Sequence, residues 1–300
     1  MDNKNLIVIV GPTAIGKTNL SIELAKQLKC EIISADSRQF YKEISIGTAK
    51  PTENELSQVP HHFINNLSIH DQYSAGKFEL EALKCLEILF KKSDYAILVG
   101  GSGMYIDAVC KGIDLIPSNK KIRESLNLEF AEYGIKPLQN ELKENDPTHF
   151  AKMDIKNPQR LIRALEVCRI TGKTYSSFRN NKPKKRAFNI IKIGLFADKE
   201  VLHQRINLRV DQMINRGWLN EINDCSAYSS LNSLNTVGYK ELFKYLNKEI
   251  TLDVAIAEIK KNTRKFAKRQ LTWFKKDEEI NWFNYLELDK VLQLVKNKLK

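Results

Sequence analysis

Five consecutive aliphatic residues, Leu6-Ile7-Val8-Ile9-Val10, run directly into Gly11-Pro12-Thr13-Ala14-Ile15-Gly16-Lys17-Thr18. No other stretch restricts the folding of this chain as much. An unbroken aliphatic run of this kind is a strand covered on both faces, the habit of parallel sheets. The residues after it fit G-x4-G-K-[ST], and the amphipathic run to Lys29 supplies the helix that must follow. Glycines let backbone N–H groups curl around an anion, and the start of a helix adds partial positive charge. Gly11, Pro12, Thr13, Ala14, Ile15, Gly16, Lys17 and Thr18 are therefore expected to hold a polyphosphate. Lys17 would reach the outer phosphate, and the Thr18 hydroxyl would bind a magnesium ion (Mg2+) bridging the phosphates. The loop leaves open which bond breaks. A kinase cleaves phosphorus from oxygen, whereas an alkyl diphosphate in the same loop loses pyrophosphate by carbon–oxygen cleavage.

A second buried stretch, Glu31–Ala35, ends in Asp36-Ser37-Arg38-Gln39, and a third, Tyr95–Val99, enters Gly100-Gly101-Ser102-Gly103. Ligands in open α/β sheets bind beyond the carboxyl ends of strands, where Asp36 falls. The bland alternative for Asp36, from position alone, is a helix cap or loop carboxylate. No aspartate ends the third strand, so the usual magnesium carboxylate of an NTPase is missing. Strands near 6–10, 30–35, 95–99 and 190–195 alternate with helices near 17–29, 76–92, 158–171 and 199–216. The predicted fold class is therefore α/β, a P-loop NTPase-like parallel sheet core flanked by helices. Between Pro117 and Phe178 the chain is charged and helical. This predicts a mostly helical insertion domain, 118–178, within a core built from 1–117 and 179–300.

Lys and Arg total 48 against 36 Asp and Glu, a formal charge of +12 that suits a polyanionic partner. Much of the surplus lies between Lys260 and Lys276, a window without acid inside a predicted helix, Leu252–Trp273. Spacing of four aligns Lys260, Arg264 and Lys268 in one stripe, and Lys261, Lys265 and Arg269 in the next. Like charges at that spacing destabilise a helix unless an anion lies between them; a merely solvated face is the plainer reading. Phe266, Trp273 and Phe274 supply its apolar side, and Lys182–Arg186 reads as a solvated connector. The 5 cysteines are scattered without C-x-x-C spacing, which excludes a disulfide scaffold and fits a reducing cytoplasm. No apolar run approaches the roughly 18 residues of a membrane span.

Several blocks now stand in order: Gly11–Thr18, Asp36–Gln39, Ile46–Pro51, Val59-Pro60-His61-His62-Phe63 and Val99–Tyr105. Pro158–Val167, Leu202–Ile206, Arg209–Met213, Thr236-Val237-Gly238-Tyr239-Lys240 and Thr263–Gln270 continue them. Together they resemble the tRNA dimethylallyltransferase family over nearly the whole chain. The resemblance implies transfer of a dimethylallyl group from dimethylallyl diphosphate to N6 of the adenosine at position 37 of tRNA, releasing pyrophosphate. Because an exocyclic adenine amine is a poor nucleophile, a carboxylate should accept its proton, and Asp36 is the candidate base. Lys17, Thr18 with its magnesium ion, and Arg209 would act on the departing pyrophosphate. By resemblance the tRNA surface includes Asp36, Ser37, Arg38, Gln39, Ser102, Arg123, Gln159, Arg160, Leu161, Ile162 and Arg163. The basic helix adds Arg264, Lys268 and Arg269. Ser102 stands where the family more often has threonine. The implied partners are the anticodon stem-loop of tRNA and dimethylallyl diphosphate, with no membrane, for a monomer in the cytoplasm.

Three rivals remain at this stage. A small-molecule or nucleotide kinase explains the loop but leaves the basic helix idle. An isopentenyltransferase acting on free adenine nucleotides is chemically close, yet needs no extended phosphate track. An RNA-binding protein with a vestigial loop would bind without transferring anything.

Overall fold

The first strand, β1 (Asn5–Val10), is buried along its whole length and lies between two other strands. The computed structural model describes residues 4–114, 116–179 and 182–298. The outermost ends of the expected core, 1–3 and 299–300, lie outside the described residues. The further strands are β2 (Ile32–Ser34), β3 (His61–His62), β4 (Tyr95–Val99), β5 (Asn189–Phe196) and β6 (Asn281–Asn284). They pair in parallel, in the order β3-β2-β4-β1-β5-β6. The helices are α1 (Lys17–Leu28), α2 (Glu53–Leu56), α3 (Ala75–Lys92), α4 (Gly103–Lys111), α5 (Lys120–Tyr133), α6 (Ile135–Asn145) and α7 (Pro147–Phe150). After them come α8 (Pro158–Thr171), α9 (Lys199–Asn215), α10 (Trp218–Asp224), α11 (Tyr239–Leu246), α12 (Leu252–Phe274) and α13 (Leu288–Lys298).

Strand geometry explains why β1 must be aliphatic throughout. Successive side chains point to opposite faces. Ile7 and Ile9 enter a core with Leu20 and Leu24 of α1, Ala267 of α12 and Val291 of α13. Leu6, Val8 and Val10 enter another with Phe78 and Leu86 of α3 and Val109 of α4. A polar residue at any of these positions would face a core on one side or the other. A third cluster joins Tyr41 and Ile44 to Trp218, Tyr239, Leu242 and Ile259, and so ties the loop after β2 to the C-terminal helices.

The chain divides into two compact units, Met1–Cys110 with Lys185–Lys300, and Lys111–Lys184. The second unit is the four helices α5 to α8 around a core of Leu126, Leu138, Leu142, Leu161 and Leu165. It extends beyond the predicted 118–178 at both ends. Glu166, 1% exposed, accepts hydrogen bonds from the Asn119 amide at 2.9 Å and from the guanidinium of Arg163 at 2.7 Å, and pairs with Arg123.

The structure corrects the sequence reading in three places. The edge strands β3 and β6 go unseen because runs of two and four residues carry no legible period. The connector Lys182–Arg186 is not wholly solvated. Arg186 turns inward, donating to the carbonyls of Ala108 and Val109 at 2.7 and 2.8 Å and to Glu79 at 2.9 Å. On α12, Lys260 pairs with Asp211 at 2.6 Å and Arg264 donates to Asn207 at 2.7 Å, so α9 already serves the first basic stripe. Of the aromatic residues there, Phe274 is core, whereas Phe266 and Trp273 are exposed.

Candidate active site

Tight turning at the end of β1 makes the loop. Gly16 caps α1 with φ 106°, in the left-handed region that favours glycine. The Lys17 ammonium lies across the loop, donating to the carbonyls of Gly11 at 3.1 Å and Pro12 at 2.8 Å. Burial and then the neighbouring Arg209 charge push its pKa down to about 7, opposed by Asp36. Helix α9 lays two arginines one turn apart against the same loop. Arg205 donates to the Ala14 carbonyl at 2.7 Å, with its guanidinium 4.8 Å from the Tyr285 ring centre. Arg209 donates to the Thr13 hydroxyl at 3.4 Å and the Ala49 carbonyl at 3.3 Å. Burial lowers the Arg209 pKa, while the charges of Asp36 and Glu55 oppose the shift.

These groups open onto one cleft of about 430 Å³. Thr13 to Thr18, Ser34, Asp36, Gln39, Arg205 and Arg209 line it with polar groups, and Ile46, Ile64, Leu208, Met213 and Phe266 with apolar ones. Asp36 follows β2, and its carboxylate accepts the Arg38 amide at 3.0 Å. The residues behind it are tethered. The Ser37 amide donates to the Ser102 hydroxyl oxygen at 3.0 Å. Arg38 donates to the carbonyls of Asn232 and Ser233 at 3.0 and 2.9 Å. Gln39 accepts from the Ser34 hydroxyl at 3.2 Å and donates to the Ala49 carbonyl at 3.2 Å. His61 also lines the cleft, its Nδ1 bonded to the Val59 carbonyl at 2.8 Å, and burial lowers its pKa.

Sequence reading assigned no role to several residues that hold this site together. Gln270, 7% exposed, accepts the Thr13 amide at 2.8 Å and donates to the Gly101 carbonyl at 2.9 Å. It thereby bridges the loops that follow β1 and β4. Glu221 accepts the amides of Ser45, Ile46 and Gly47 at 2.6, 2.7 and 3.0 Å. The Trp218 ring packs so close to Gly47 and Gly238 that a Cβ would stand 2.2 and 2.1 Å from it. Those glycines, inside two of the motif blocks, were the signal for a bulky side chain between them.

Residues placed on the RNA surface by resemblance are divided by the structure. Gln159 and Arg160 are exposed on α8. Leu161 and Ile162 are 0% and 1% exposed, side chains of the helical unit's own core. Arg123 and Arg163 are partly buried and engaged with Glu166, and Arg163 also donates to the Ile116 and Pro117 carbonyls at 3.0 and 2.9 Å. Lys268 and Arg269 are exposed, with Arg269 5.7 Å from the Phe266 ring centre, whereas Arg264 is partly buried.

Among the described residues no cluster of three or more His, Cys, Asp or Glu could cage a metal ion. The oxygen donors of Thr18 and Asp36 instead share the cleft with the phosphate loop. That fits a hard cation held by one or two protein oxygens and completed by phosphate and water, the manner of magnesium.

Comparisons with known proteins agree with this geometry. The family model described as IPP transferase matches residues 39–277. The chain is 50% identical over 301 residues to tRNA dimethylallyltransferase 1 of Bacteroides fragilis, covering 100% of each. It is 52% identical over 296 residues to tRNA dimethylallyltransferase of Christiangramia forsetii, covering 98% of each. Among solved structures it is similar to the full-length tRNA isopentenylpyrophosphate transferase of Bacillus halodurans, with TM-score 0.73 and 35% identity over 99% of this chain and 97% of that one. A eukaryotic dimethylallyltransferase acting on tRNA superposes with TM-score 0.76 at 28% identity, over 96% of this chain and 75% of that one. With the family model matching residues 39–277 and full-length relatives at 50% and 52% identity, the chain belongs to the IPP transferase family.

Proposed function

We propose that this protein transfers the dimethylallyl group of dimethylallyl diphosphate to N6 of the adenosine at position 37 of tRNA. One observation carries the reading: a single cleft holds Lys17, Arg209 and Asp36 beside an apolar wall. Cations on one side and aliphatic side chains on the other suit an allylic diphosphate, whose charged head and branched hydrocarbon tail need both halves.

The adenine N6 lone pair attacks the first carbon of the dimethylallyl group. The carbon–oxygen bond breaks, and its electron pair leaves on pyrophosphate. Charge grows on that leaving group, where the loop amides, Lys17 and Arg209 stabilise it. The N6 proton passes to the Asp36 carboxylate, which its bond from the Arg38 amide orients. Magnesium held by the Thr18 hydroxyl would supply further positive charge to the diphosphate oxygens. Exposed Lys268, Arg269 and Arg160 offer phosphate contacts for the anticodon stem-loop. We place the reaction in the cytoplasm, where the tRNA substrate is met; no described helix is long and apolar enough to cross a membrane.

The test is labelled prenyl transfer to an anticodon stem-loop, with AMP and ATP as parallel acceptors. Transfer to RNA that Asp36→Ala abolishes is the expected result. Transfer to the free nucleotides would move the protein to the nucleotide-prenylating rival. ATP consumption without transfer would make it a kinase.

A further inference from the structure

Helix α12 carries Phe266, Gln270 and Trp273 at i, i+4 and i+7, one face of the helix. Phe266 lines the cleft, Gln270 is buried between the two loops, and Trp273 emerges 45% exposed. An exposed tryptophan is ordinarily free to change rotamer. This one is pinned. Its indole N–H donates to the Asp107 carboxylate at 2.8 Å. Its ring lies so close to Gly103 that a Cβ there would stand 2.3 Å from it, while much of the ring stays exposed.

The position of the ring gives this exposure its meaning. Gly103 follows Ser102, whose hydroxyl is bonded to Ser37, the neighbour of Asp36. Trp273 therefore stands one loop away from the carboxylate that would receive the adenine proton. Met104 beside it is 54% exposed. Lys268 and Arg269 precede it on the helix, Lys275 and Lys276 follow it, and all four are exposed. Exposed cations before and after an exposed indole on the same helix make a mixed basic and aromatic surface. It suits a nucleotide, which brings a flat base for the indole and a phosphate for the cations.

We propose that Trp273 is a stacking platform for one unpaired base of the RNA loop, next to the adenosine that enters the cleft. This rests on the tRNA reading above and adds to it a specific contact that reads shape rather than sequence. Base-on-aromatic stacking is sequence-tolerant because every base presents a π-face.

The experiment titrates an anticodon stem-loop into the full chain without diphosphate, following tryptophan emission. Trp218 is 2% exposed, and the difference between wild type and Trp273→Phe isolates the platform from the remaining indoles. Quenching in wild type that Trp273→Phe lacks is expected. Trp273→Ala should weaken binding by about 5- to 100-fold, while Trp273→Phe keeps most of the affinity. With loops made abasic one position at a time, a single position should bind wild type and Trp273→Ala equally. Absence of quenching, or the same loss on every abasic loop, overturns the proposal and returns Trp273 to helix packing. Quenching by an acidic protein instead of RNA overturns it as well. A parallel transfer assay on wild type separates the two readings. Binding and quenching without transfer would sink the reaction and leave the platform, whereas transfer without quenching would do the reverse.

Discussion

Arg205 and Arg209 on α9 and Arg123 and Arg163 in the helical unit carry the same charge and end in opposite circumstances. The α9 pair closes no ion pair among the described residues, resting on two carbonyls, a hydroxyl and an aromatic ring. The other pair converges on Glu166, which is almost wholly buried. One buried carboxylate engages both of the arginines expected on the RNA surface. The α9 guanidiniums are partly buried with no carboxylate in direct contact among the described residues, although the nearby charges of Asp36 and Glu55 favour the protonated form of Arg209. On the proposed reading the α9 pair awaits the diphosphate, whereas the Glu166 pair already has its counter-ion.

The largest effect should come from breaking the first arrangement. Arg209→Ala should lower kcat about 100- to 1000-fold, the usual loss for one donor to a developing oxyanion. Its unfolding midpoint should stay at or slightly above that of wild type, because a desolvated charge is removed. Steady-state kinetics beside thermal unfolding decide this, and a large drop in midpoint would make Arg209 a strut after all. Glu166→Gln should behave in the contrary way. It leaves two guanidiniums unpaired, and a loss of about 2–3 kcal/mol is expected, discounted from the buried-pair range because both arginines reach solvent. Urea unfolding measures it. Burial alone would raise the Glu166 pKa, but its hydrogen bonds from Arg123 and Arg163 hold it below the usual carboxylate range. The folded value is thus below the unfolded one, so this stability is present above about pH 4.5 and lost as pH falls through the folded value.

How far each region is legible in the sequence follows from the range of the interactions that define it. The strand, phosphate loop and first helix are written in consecutive residues, and the structure gathers Lys17 and Asp36 where their strand ends put them. Gln270 is 257 residues from Thr13, and nothing local to α12 marks it as a bridge. Within Gln159 to Arg163, the side chains of Leu161 and Ile162 turn into the helical unit's core for a geometric reason. Successive residues on a helix point about 100° apart, so five in a row cannot share one surface. The basic stripe of Lys260 and Arg264 misleads in another way, since its partners Asp211 and Asn207 lie on a different helix.

A third effect belongs to the loop itself. Lys17, at about 7, is only partly charged near neutral pH before any anion arrives. A bound diphosphate favours the ammonium and raises that value, so binding should take up protons between about pH 7 and 9. Affinity should then fall by up to about tenfold for each pH unit above 7. Calorimetry in buffers of different ionisation enthalpy reads the proton count directly. Uptake that persists in Lys17→Arg would assign the proton elsewhere.

The smallest effect sharpens the comparison inside the helical unit, where Arg160 and Arg163 sit one turn apart on α8. Arg160 is exposed, with only its backbone amide held, by Asn157. If it contacts phosphate, Arg160→Ala should weaken stem-loop binding alike for all loop sequences and reduce the salt slope by about one. The unfolding midpoint should not move. Arg163→Ala should do the opposite, lowering the midpoint through Glu166 and leaving the salt slope nearly unchanged. Equal salt slopes for wild type and Arg160→Ala would remove α8 from the RNA surface and leave the exposed cations of α12 to hold the RNA.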